Sequence, residues 1–337
     1  MASMAIPIID LDPYFEGGDL GKNAVAKAVG EACQSIGFLV ITNHRVDQSL
    51  IENVSATSRK FFDLNLADKR KVGRPRPDAV RGYSAVGEEG LSYSLEEVAP
   101  GDLKESFSIG PSGVPNDDYH RGPQAGAHFE PNVWPEIPGF RDAYEAYFAA
   151  MTALSQSLMR IFALALHLPE HYFDDKIDKH ISMFRVLSYP PQLEPPLPGQ
   201  LRAGAHSDYG SLTIVLPDDE GLQVHSKDGE WLNVPLVEGG LVVNIADLLM
   251  QWTNDQWVST LHRVSNPPVH IASSNRRQSL VFFHQPNYDT MVECLPSCLD
   301  KDGKPKYSVI SSGDHLTSKF VKQTTFGGTK ADASVNT

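Results

Sequence analysis

The chain has 337 residues, of which 41% are hydrophobic and 21% are charged, as in soluble globular proteins rather than disordered or fibrous ones. Its length corresponds to about two average domains or one large one. The 42 acidic and 29 basic residues give a net charge of −13, which disfavours binding to nucleic acid and to anionic membranes.

Neither export nor a membrane span is expected. No uninterrupted apolar run approaches the roughly 18 residues of a membrane helix, and Met1–Leu11 has no basic stretch ahead of an apolar one. The 3 cysteines are too few for a disulfide framework, and Cys294 and Cys298 are only a weak metal-ligand pair. We therefore expect a cytoplasmic protein with free thiols and no membrane partner.

The first predicted elements alternate between strands and helices. A short apolar run at Ile6–Asp10 predicts a strand, and apolar residues at helical spacing predict a helix from Asn23 to Ile36. The continuous apolar run Phe38–Thr42 predicts a buried strand. Asp47 is a suitable N-cap for a second helix that ends near Leu64.

Residues 73–135 are rich in Gly, Pro, Asp and Ser, which predicts a long irregular region of the kind that often forms lids or binding loops. Short strands are expected within it at Arg81–Tyr83 and at Lys104–Ile109. From Phe140 to Leu168 the apolar residues recur three or four positions apart, which predicts a long amphipathic helix closed by Pro169.

After about residue 181, short β-type runs alternate with turns, which predicts an antiparallel sandwich or barrel. The tail beyond Phe326 has a single large apolar residue, Val335, and is expected to be disordered. The predicted strands are Ile181–Tyr189, Leu212–Leu216, Leu222–His225, Leu241–Ile245, Thr260–Val264 and Ser279–His284.

The segment His206-Ser207-Asp208 carries the clearest chemical signal. In extended backbone, residues i and i+2 point to the same side, so the imidazole and the carboxylate project together. His262 can supply a second imidazole, and two His with one carboxylate on one face of a metal are typical of non-haem Fe(II) oxygenases. A His-x-Asp pair is common, and a hydrogen-bonded surface His beside a turn Asp remains the alternative.

A second pattern predicts an anion site. Arg277 and Ser279 share one face of a predicted strand, and a guanidinium with a hydroxyl suits a carboxylate. Tyr189 can add a phenol hydrogen bond to the same anion. For Arg277 taken alone, a solvated strand end is the alternative interpretation.

The order of these motifs resembles the 2-oxoglutarate/Fe(II) dioxygenases of the isopenicillin N synthase-like superfamily, over about residues 5–320. Arg81–Ser84 and Lys104–Phe107 look most like the fungal members, which include thymine 7-hydroxylase and natural-product oxygenases. The segments that carry the resemblance are Ile6–Leu11, Gly37–His44, Phe61-Phe62, Tyr189-Pro190-Pro191, His206-x-Asp208, Val243–Leu248, Asn254-Asp255, His262–Val264 and Arg277-x-Ser279.

The resemblance implies an α+β fold with a mainly β core, namely a double-stranded β-helix (jelly roll) with flanking helices that include one long helix near residues 140–168. We expect one compact unit. Its parts are an N-terminal dioxygenase region (1–110), connecting loops and the long helix (111–180), the Fe(II)/2-oxoglutarate jelly-roll core (181–290), a C-terminal segment (291–326) and a disordered tail (327–337).

The implied activity is oxidation of a C–H bond of a small, cyclic molecule, by hydroxylation, desaturation or oxidative ring rearrangement, in fungal secondary metabolism. It is coupled to formation of succinate and CO2 from 2-oxoglutarate and O2. Two alternatives stay open, a superfamily oxidase that does not consume 2-oxoglutarate and a non-catalytic cupin-like binding protein. The resemblance assigns Fe(II) to His206, Asp208 and His262, and 2-oxoglutarate to Arg277, Ser279 and Tyr189.

Further candidates concern the substrate. Strand alternation puts Arg185 and Tyr189 on one face, so Arg185 is expected to face the iron cavity. Arg185 then either receives an oxygen-bearing group of the substrate or pairs with an internal carboxylate such as Glu105, because a buried Arg needs an acceptor. The remaining candidate contacts are the possible aromatic walls Phe107 and Phe283, and Tyr83.

Overall fold

A computed structural model of the chain describes residues 5–76, 80–92 and 99–320. The predicted tail at 327–337 lies outside the described residues. The helices are α1 (Asp12–Glu16), α2 (Gly18–Ser35), α3 (Gln48–Phe62), α4 (Leu66–Arg70), α5 (Asp118–Arg121), α6 (Phe140–Ala165), α7 (Asp174–Ile177) and α8 (Asp247–Trp252).

The strands belong mostly to two sheets. They are β1 (Ile8–Asp10), β2 (Phe38–Thr42), β3 (Gly82–Ser84), β4 (Glu105–Ile109), β5 (Met183–Tyr189), β6 (Ala203–His206), β7 (Leu212–Pro217), β8 (Leu222–His225), β9 (Trp231–Asn233), β10 (Leu241–Ile245), β11 (His262–Val264), β12 (Arg277–His284), β13 (Met291–Val292) and β14 (Ile310–Ser311).

The larger sheet has eight strands in the order β1-β2-β10-β7-β12-β5-β4-β3, and the smaller one has four in the order β6-β11-β8-β9. The pair β1–β2 is parallel, whereas the central pairs β10–β7, β7–β12 and β12–β5 are antiparallel. The predicted mixture of helices with large, mainly antiparallel sheets is therefore confirmed.

Strand alternation gives the larger sheet two buried faces. One face packs against the helices, where Phe184 and Val186 of β5 join the main apolar core. The other face carries Leu187 and Tyr189 of β5, which cluster with Val224 of the smaller sheet. The second cluster therefore lies between the two sheets.

Helix α6 supports the larger sheet from behind. It contacts α2, α3 and β12, and its buried residues recur at helical spacing, as in Tyr144, Met151 and Leu158. Among the described residues it is the one helix that is long and apolar enough to cross a membrane by length and composition. Because α6 packs in the main core, its apolar composition is also that of a buried helix in a globular protein.

The long elements lie close to their predicted positions, and the short ones account for most of the differences. Asp47 caps α3 by accepting a hydrogen bond from the Ser49 backbone N–H, as predicted. The helix predicted from Asn23 begins earlier than expected, at Gly18. The sequence analysis did not predict several short elements, because runs of two to six residues carry little periodicity; they are α1, α4, α5, α7, α8, β6, β9, β13 and β14.

Candidate active site

Two histidines meet across neighbouring strands of the smaller sheet. His206 ends β6 and His262 begins β11, and the two residues are direct partners in the antiparallel register. Their ring centroids are 4.2 Å apart. Asp208 lies two residues beyond His206, in the turn before β7, and is buried.

The three side chains converge as their sequence pattern predicts. The Nε2 atoms of His206 and His262 each lie 3.8 Å from Oδ1 of Asp208. One ligand atom from each residue lies within 4.8 Å of the other two. Within the described ranges, this is the one group of three or more His, Cys, Asp or Glu side chains with such geometry.

Hydrogen bonds on the far side of each side chain orient the cluster. Nδ1 of His206 is 2.8 Å from the Gly204 carbonyl oxygen, and Nδ1 of His262 is 3.1 Å from that of Thr260. Because a carbonyl only accepts, each Nδ1 carries the proton and each Nε2 keeps a free lone pair. Two imidazole nitrogens and one carboxylate oxygen therefore fit an Fe(II) ion with open coordination positions.

The protonation states suit metal binding. Burial, together with the neighbouring His262, lowers the pKa of His206 to about 4. Burial opposes ionisation of Asp208, but the histidines in their protonated forms and hydrogen bonds from Thr213 and Asn244 outweigh it, so the Asp208 pKa is lowered. At neutral pH the site thus presents a neutral imidazole at His206 and an ionised carboxylate, the forms that bind metal.

The predicted anion residues meet on the larger sheet. Arg277 on β12 is the direct partner of Tyr189 on β5, and its guanidinium carbon lies 4.9 Å from the Tyr189 ring centroid. Nη1 of Arg277 donates to Oγ of Ser279 over 2.6 Å, and Nε donates to the carbonyls of Asp219 and Glu220. Arg277 is 1% exposed and these partners are all neutral groups, so its charge is available to an anion.

A second buried guanidinium near Tyr189 was not predicted. Arg202 is 2% exposed, and its guanidinium carbon lies 5.9 Å from the Tyr189 ring centroid. Its Nη1 and Nη2 donate to the side chain and backbone of Asn275, and its Nε has no hydrogen-bond partner among the described residues. An isolated Arg four residues before His206 gives no signal in the sequence.

Arg185 has an internal carboxylate partner, but not the expected one. Its Nη1 lies 3.2 Å from Glu89, and its Nε donates to Oγ of Ser108 over 2.8 Å. Glu105 instead accepts from Lys69 over 2.6 Å and from Tyr83 over 2.7 Å. Glu105 as the partner of Arg185 was therefore wrong, because alternation along β4 turns Glu105 away from Ser108.

Two of the proposed substrate contacts were also wrong. Phe107 pairs with Val186 and packs against Phe61 and Phe140 in the main core, and the Tyr83 ring contacts Phe61 on the same side. Neither side chain lies on the face that carries Arg185.

Phe283 lies on the predicted face. On β12 it shares one face with Arg277, Ser279 and Val281, which lie six, four and two residues before it. Val281 is the direct partner of Arg185. Phe283 is partly buried and packs against the cluster between the sheets. It stays a candidate wall for a substrate.

Two family models match the chain. The model described as the N-terminal region of a non-haem dioxygenase in morphine synthesis matches residues 6–137. The model of the 2OG-Fe(II) oxygenase superfamily matches residues 180–286, which include the histidine–aspartate cluster and the Arg277 site.

Individual proteins resemble the chain over most of its length. The 2-oxoglutarate-Fe(II) type oxidoreductase hxnY of Emericella nidulans is 33% identical over 95% of this chain and 90% of its own length. A homoarginine-6-hydroxylase of Oryza sativa subsp. japonica is 31% identical over 94% and 97%. The crystal structure of a full-length Neurospora crassa protein in complex with alpha-KG and thymine has a TM-score of 0.81 and 34% identity over 94% and 96%.

Proposed function

Because the chain belongs to the 2OG-Fe(II) oxygenase superfamily, we propose that it oxidises a C–H bond of a small, cyclic molecule held near the His206–Asp208–His262 cluster. Enzymes of this family need Fe(II), 2-oxoglutarate and O2. The observation that carries the proposal is that this cluster and the buried Arg277 site occur together in one chain.

The protein side chains bind and orient the reactants. His206, Asp208 and His262 would hold Fe(II), which with 2-oxoglutarate and O2 supplies the oxidising power that side chains lack. Arg277 and Ser279 would bind the far carboxylate of 2-oxoglutarate through a guanidinium that is already fixed by backbone carbonyls. Such preorganisation lowers the entropic cost of binding the cosubstrate in one orientation.

The substrate would lie on the part of the larger sheet that carries Arg185 and Phe283. These side chains offer a cationic donor and an aromatic wall on one face. The relatives support a small substrate, since one is named a proline hydroxylase and the crystals of the Neurospora crassa protein contain thymine or 5-formyluracil.

We further propose that the two sheets form a jelly roll, which the similarity to the solved oxygenases supports. The division at residues 110, 180 and 290 into N-terminal region, connecting region with α6, core and C-terminal segment is retained as part of this proposal. So are a cytoplasmic location, which the free Cys33, Cys294 and Cys298 support, and the lack of nucleic-acid and membrane partners, which the net charge of −13 supports.

Substrate-stimulated succinate release tests the proposed activity. The chain with Fe(II), 2-oxoglutarate and O2 is screened against small cyclic metabolites, with Asp208→Ala as the inactive reference and the exposed Arg276→Gln as a control. At least one metabolite is expected to raise succinate formation and to be oxidised in equal amount. Oxidation without succinate would instead identify an oxidase that does not use 2-oxoglutarate, and an absence of both would contradict the proposal.

A further inference from the structure

Basic side chains surround one buried carboxylate next to the proposed substrate face. Glu89 lies 3.2 Å from Arg185, 3.9 Å from Arg74 and 4.0 Å from Lys104. Lys104 also forms a 2.5 Å ion pair with Asp102. Counting described residues only, this group has three cations and two carboxylates, and thus an excess of one positive charge.

Arg81 adds a further buried positive charge. It is 2% exposed, its Nη2 donates to the His128 carbonyl over 2.9 Å, and its Nε has no hydrogen-bond partner in the described part of the chain. No carboxylate of the described residues forms an ion pair with it within 4.0 Å. Burial lowers the pKa of Arg81 to about 10; the charge of Glu130, which itself forms an ion pair with Arg76, opposes this change and that of Arg185 reinforces it, so the guanidinium stays charged at neutral pH.

The two guanidiniums lie along the same short segment of β4 and its continuation. Oγ of Ser108 accepts from Nε of Arg185, and two residues further the Arg81 guanidinium lies directly over Gly110, where a Cβ would come within 1.9 Å of Nη2. Ser106, on the same face of β4 as Ser108, is 1% exposed, and within the described ranges its hydroxyl also has no partner.

This group is separate from the site for 2-oxoglutarate. Arg277 is paired with Tyr189, which lies four residues from Arg185 and thus roughly 13 Å along β5. One small dicarboxylate bound at Arg277 therefore does not neutralise the excess positive charge around Arg185 and Arg81. Buried charges without partners are costly, so an anion that binds there is strongly favoured.

We propose that the substrate is an organic acid, and that its carboxylate binds between Arg185 and Arg81. This inference rests on the proposed function, because it names the class of molecule that the oxygenase takes. Two guanidiniums offer directional, charge-assisted hydrogen bonds that a neutral amide of the same shape cannot match. The acid would replace part of the interaction that Arg185 now makes with Glu89.

Matched acids and amides test the inference without turnover. The full chain, saturated with Fe(II) and 2-oxoglutarate in the absence of O2, is titrated calorimetrically with benzoate, phenylacetate and cyclohexanecarboxylate, and with the carboxamide of each. Saturating 2-oxoglutarate blocks the Arg277 site. At least one acid is expected to bind ten-fold or more tightly than its own amide.

Variants then locate the binding site. Arg185→Gln and Arg81→Gln are each expected to reduce the preference for the acid to three-fold or less, whereas the exposed Arg141→Gln on α6 keeps it. Glu89→Gln removes the competing carboxylate and is expected to bind the acid several-fold more tightly. This last variant keeps both guanidiniums, so it tests the inference even where Arg81→Gln fails to fold.

The inference is overturned if no acid binds more tightly than its amide, or if the preference survives in folded Arg185→Gln and Arg81→Gln proteins. Both results are readable from equilibrium binding alone. Failure of the oxygenase proposal would appear elsewhere, as absence of succinate formation in the presence of O2, so the two failures are distinguishable.

Discussion

At the scale of single residues, the geometry of the His206–Asp208–His262 cluster depends on a side chain outside it. Asp208 uses one oxygen toward the histidines, and its Oδ2 accepts from Nδ2 of Asn244 over 2.7 Å. Asn244 is 1% exposed, and among the described residues this is the one hydrogen bond that its side chain makes. The amide therefore fixes which oxygen of Asp208 is free.

Asn244→Ala is expected to weaken Fe(II) binding about ten- to a hundred-fold, because the Asp208 carboxylate is then free to rotate. Equilibrium titration with Fe(II) measures the change. The control is Asn233→Ala, which removes an exposed Asn that bonds to Gln223 at the sheet edge. Unchanged Fe(II) affinity in the Asn244 variant would show that the amide does not orient the ligand.

Arg277→Ala is expected to raise the 2-oxoglutarate concentration needed for half-maximal turnover roughly thirty- to a thousand-fold. Loss of one partner of a buried charge-assisted contact costs about 2–4 kcal/mol. The neighbouring Arg276, which is exposed and pairs with Asp63, gives the matched control Arg276→Gln. An unchanged 2-oxoglutarate requirement in the Arg277 variant would place the anion elsewhere.

The site residues that could be predicted from the sequence are those that lie close together along the chain. His206 and Asp208 are two positions apart, as are Arg277 and Ser279, so backbone alternation alone places each pair together. Glu89 and Arg202 could not be found in this way. Their partners, Arg185 and Asn275, are distant in sequence, and only the packing of loops against the sheets brings them together.

At the scale of elements, the face that a strand residue occupies depends on its neighbours in the sheet. Alternation correctly grouped Arg185 with Tyr189 on β5. It could not show that β4 pairs Ser108, rather than Phe107, with Arg185, because register between distant strands is set by tertiary packing. This is why Phe107 was expected in the cavity and lies in the helix-facing core instead.

Phe107 and Phe283 are therefore expected to respond differently to truncation. Phe107→Ala removes a fully buried ring between β4 and α6 and should lower the free energy of unfolding by about 3–5 kcal/mol. Phe283→Ala should cost less stability and should selectively weaken substrate-stimulated turnover. Urea unfolding and succinate assays on both variants measure this contrast, and the reverse pattern would contradict the assignment of faces.

An ion pair between Glu89 and Arg185 links the loop that contains Glu89 to β5, which predicts that the stability of the protein depends on pH. Burial opposes ionisation of Glu89, but Arg185, Lys104 and Arg74 outweigh it and lower its pKa from 4.5 to about 2. A lowered pKa stabilises the fold fully above pH 4.5, and this contribution is lost as the pH falls toward 2.

The lost contribution is roughly 3 kcal/mol, since each pKa unit corresponds to about 1.4 kcal/mol. Urea unfolding of the wild-type chain and of Glu89→Gln between about pH 6 and pH 3 measures the larger part of this loss. The stability difference between the two proteins should shrink as the pH falls below 4.5. A difference that stays constant over this range would show that Glu89 is not held ionised by its neighbours.

At the scale of the whole molecule, the two sheets carry the groups that we assign to different reactants. The histidine cluster comes from the smaller sheet and its following turn, whereas Arg277, Tyr189 and Arg185 come from the larger one. The net charge of −13 describes the chain as a whole and gave no indication of the cationic group around Arg185. The net charge sums over surface and interior residues, so it does not indicate the charge of an interior site. That charge depends on which side chains the fold packs together.

The most direct test of the account measures 2-oxoglutarate conversion and Fe(II) binding together. The wild-type chain is expected to bind one Fe(II) at the histidine–aspartate cluster and to convert 2-oxoglutarate to succinate in the presence of O2, slowly alone and faster with substrate. Folded His206→Ala, Asp208→Ala and His262→Ala proteins should lose both properties. Retention of Fe(II)-dependent succinate formation in any of the three would contradict the assignment of that residue as a ligand, and its absence from the wild-type chain would contradict the activity itself.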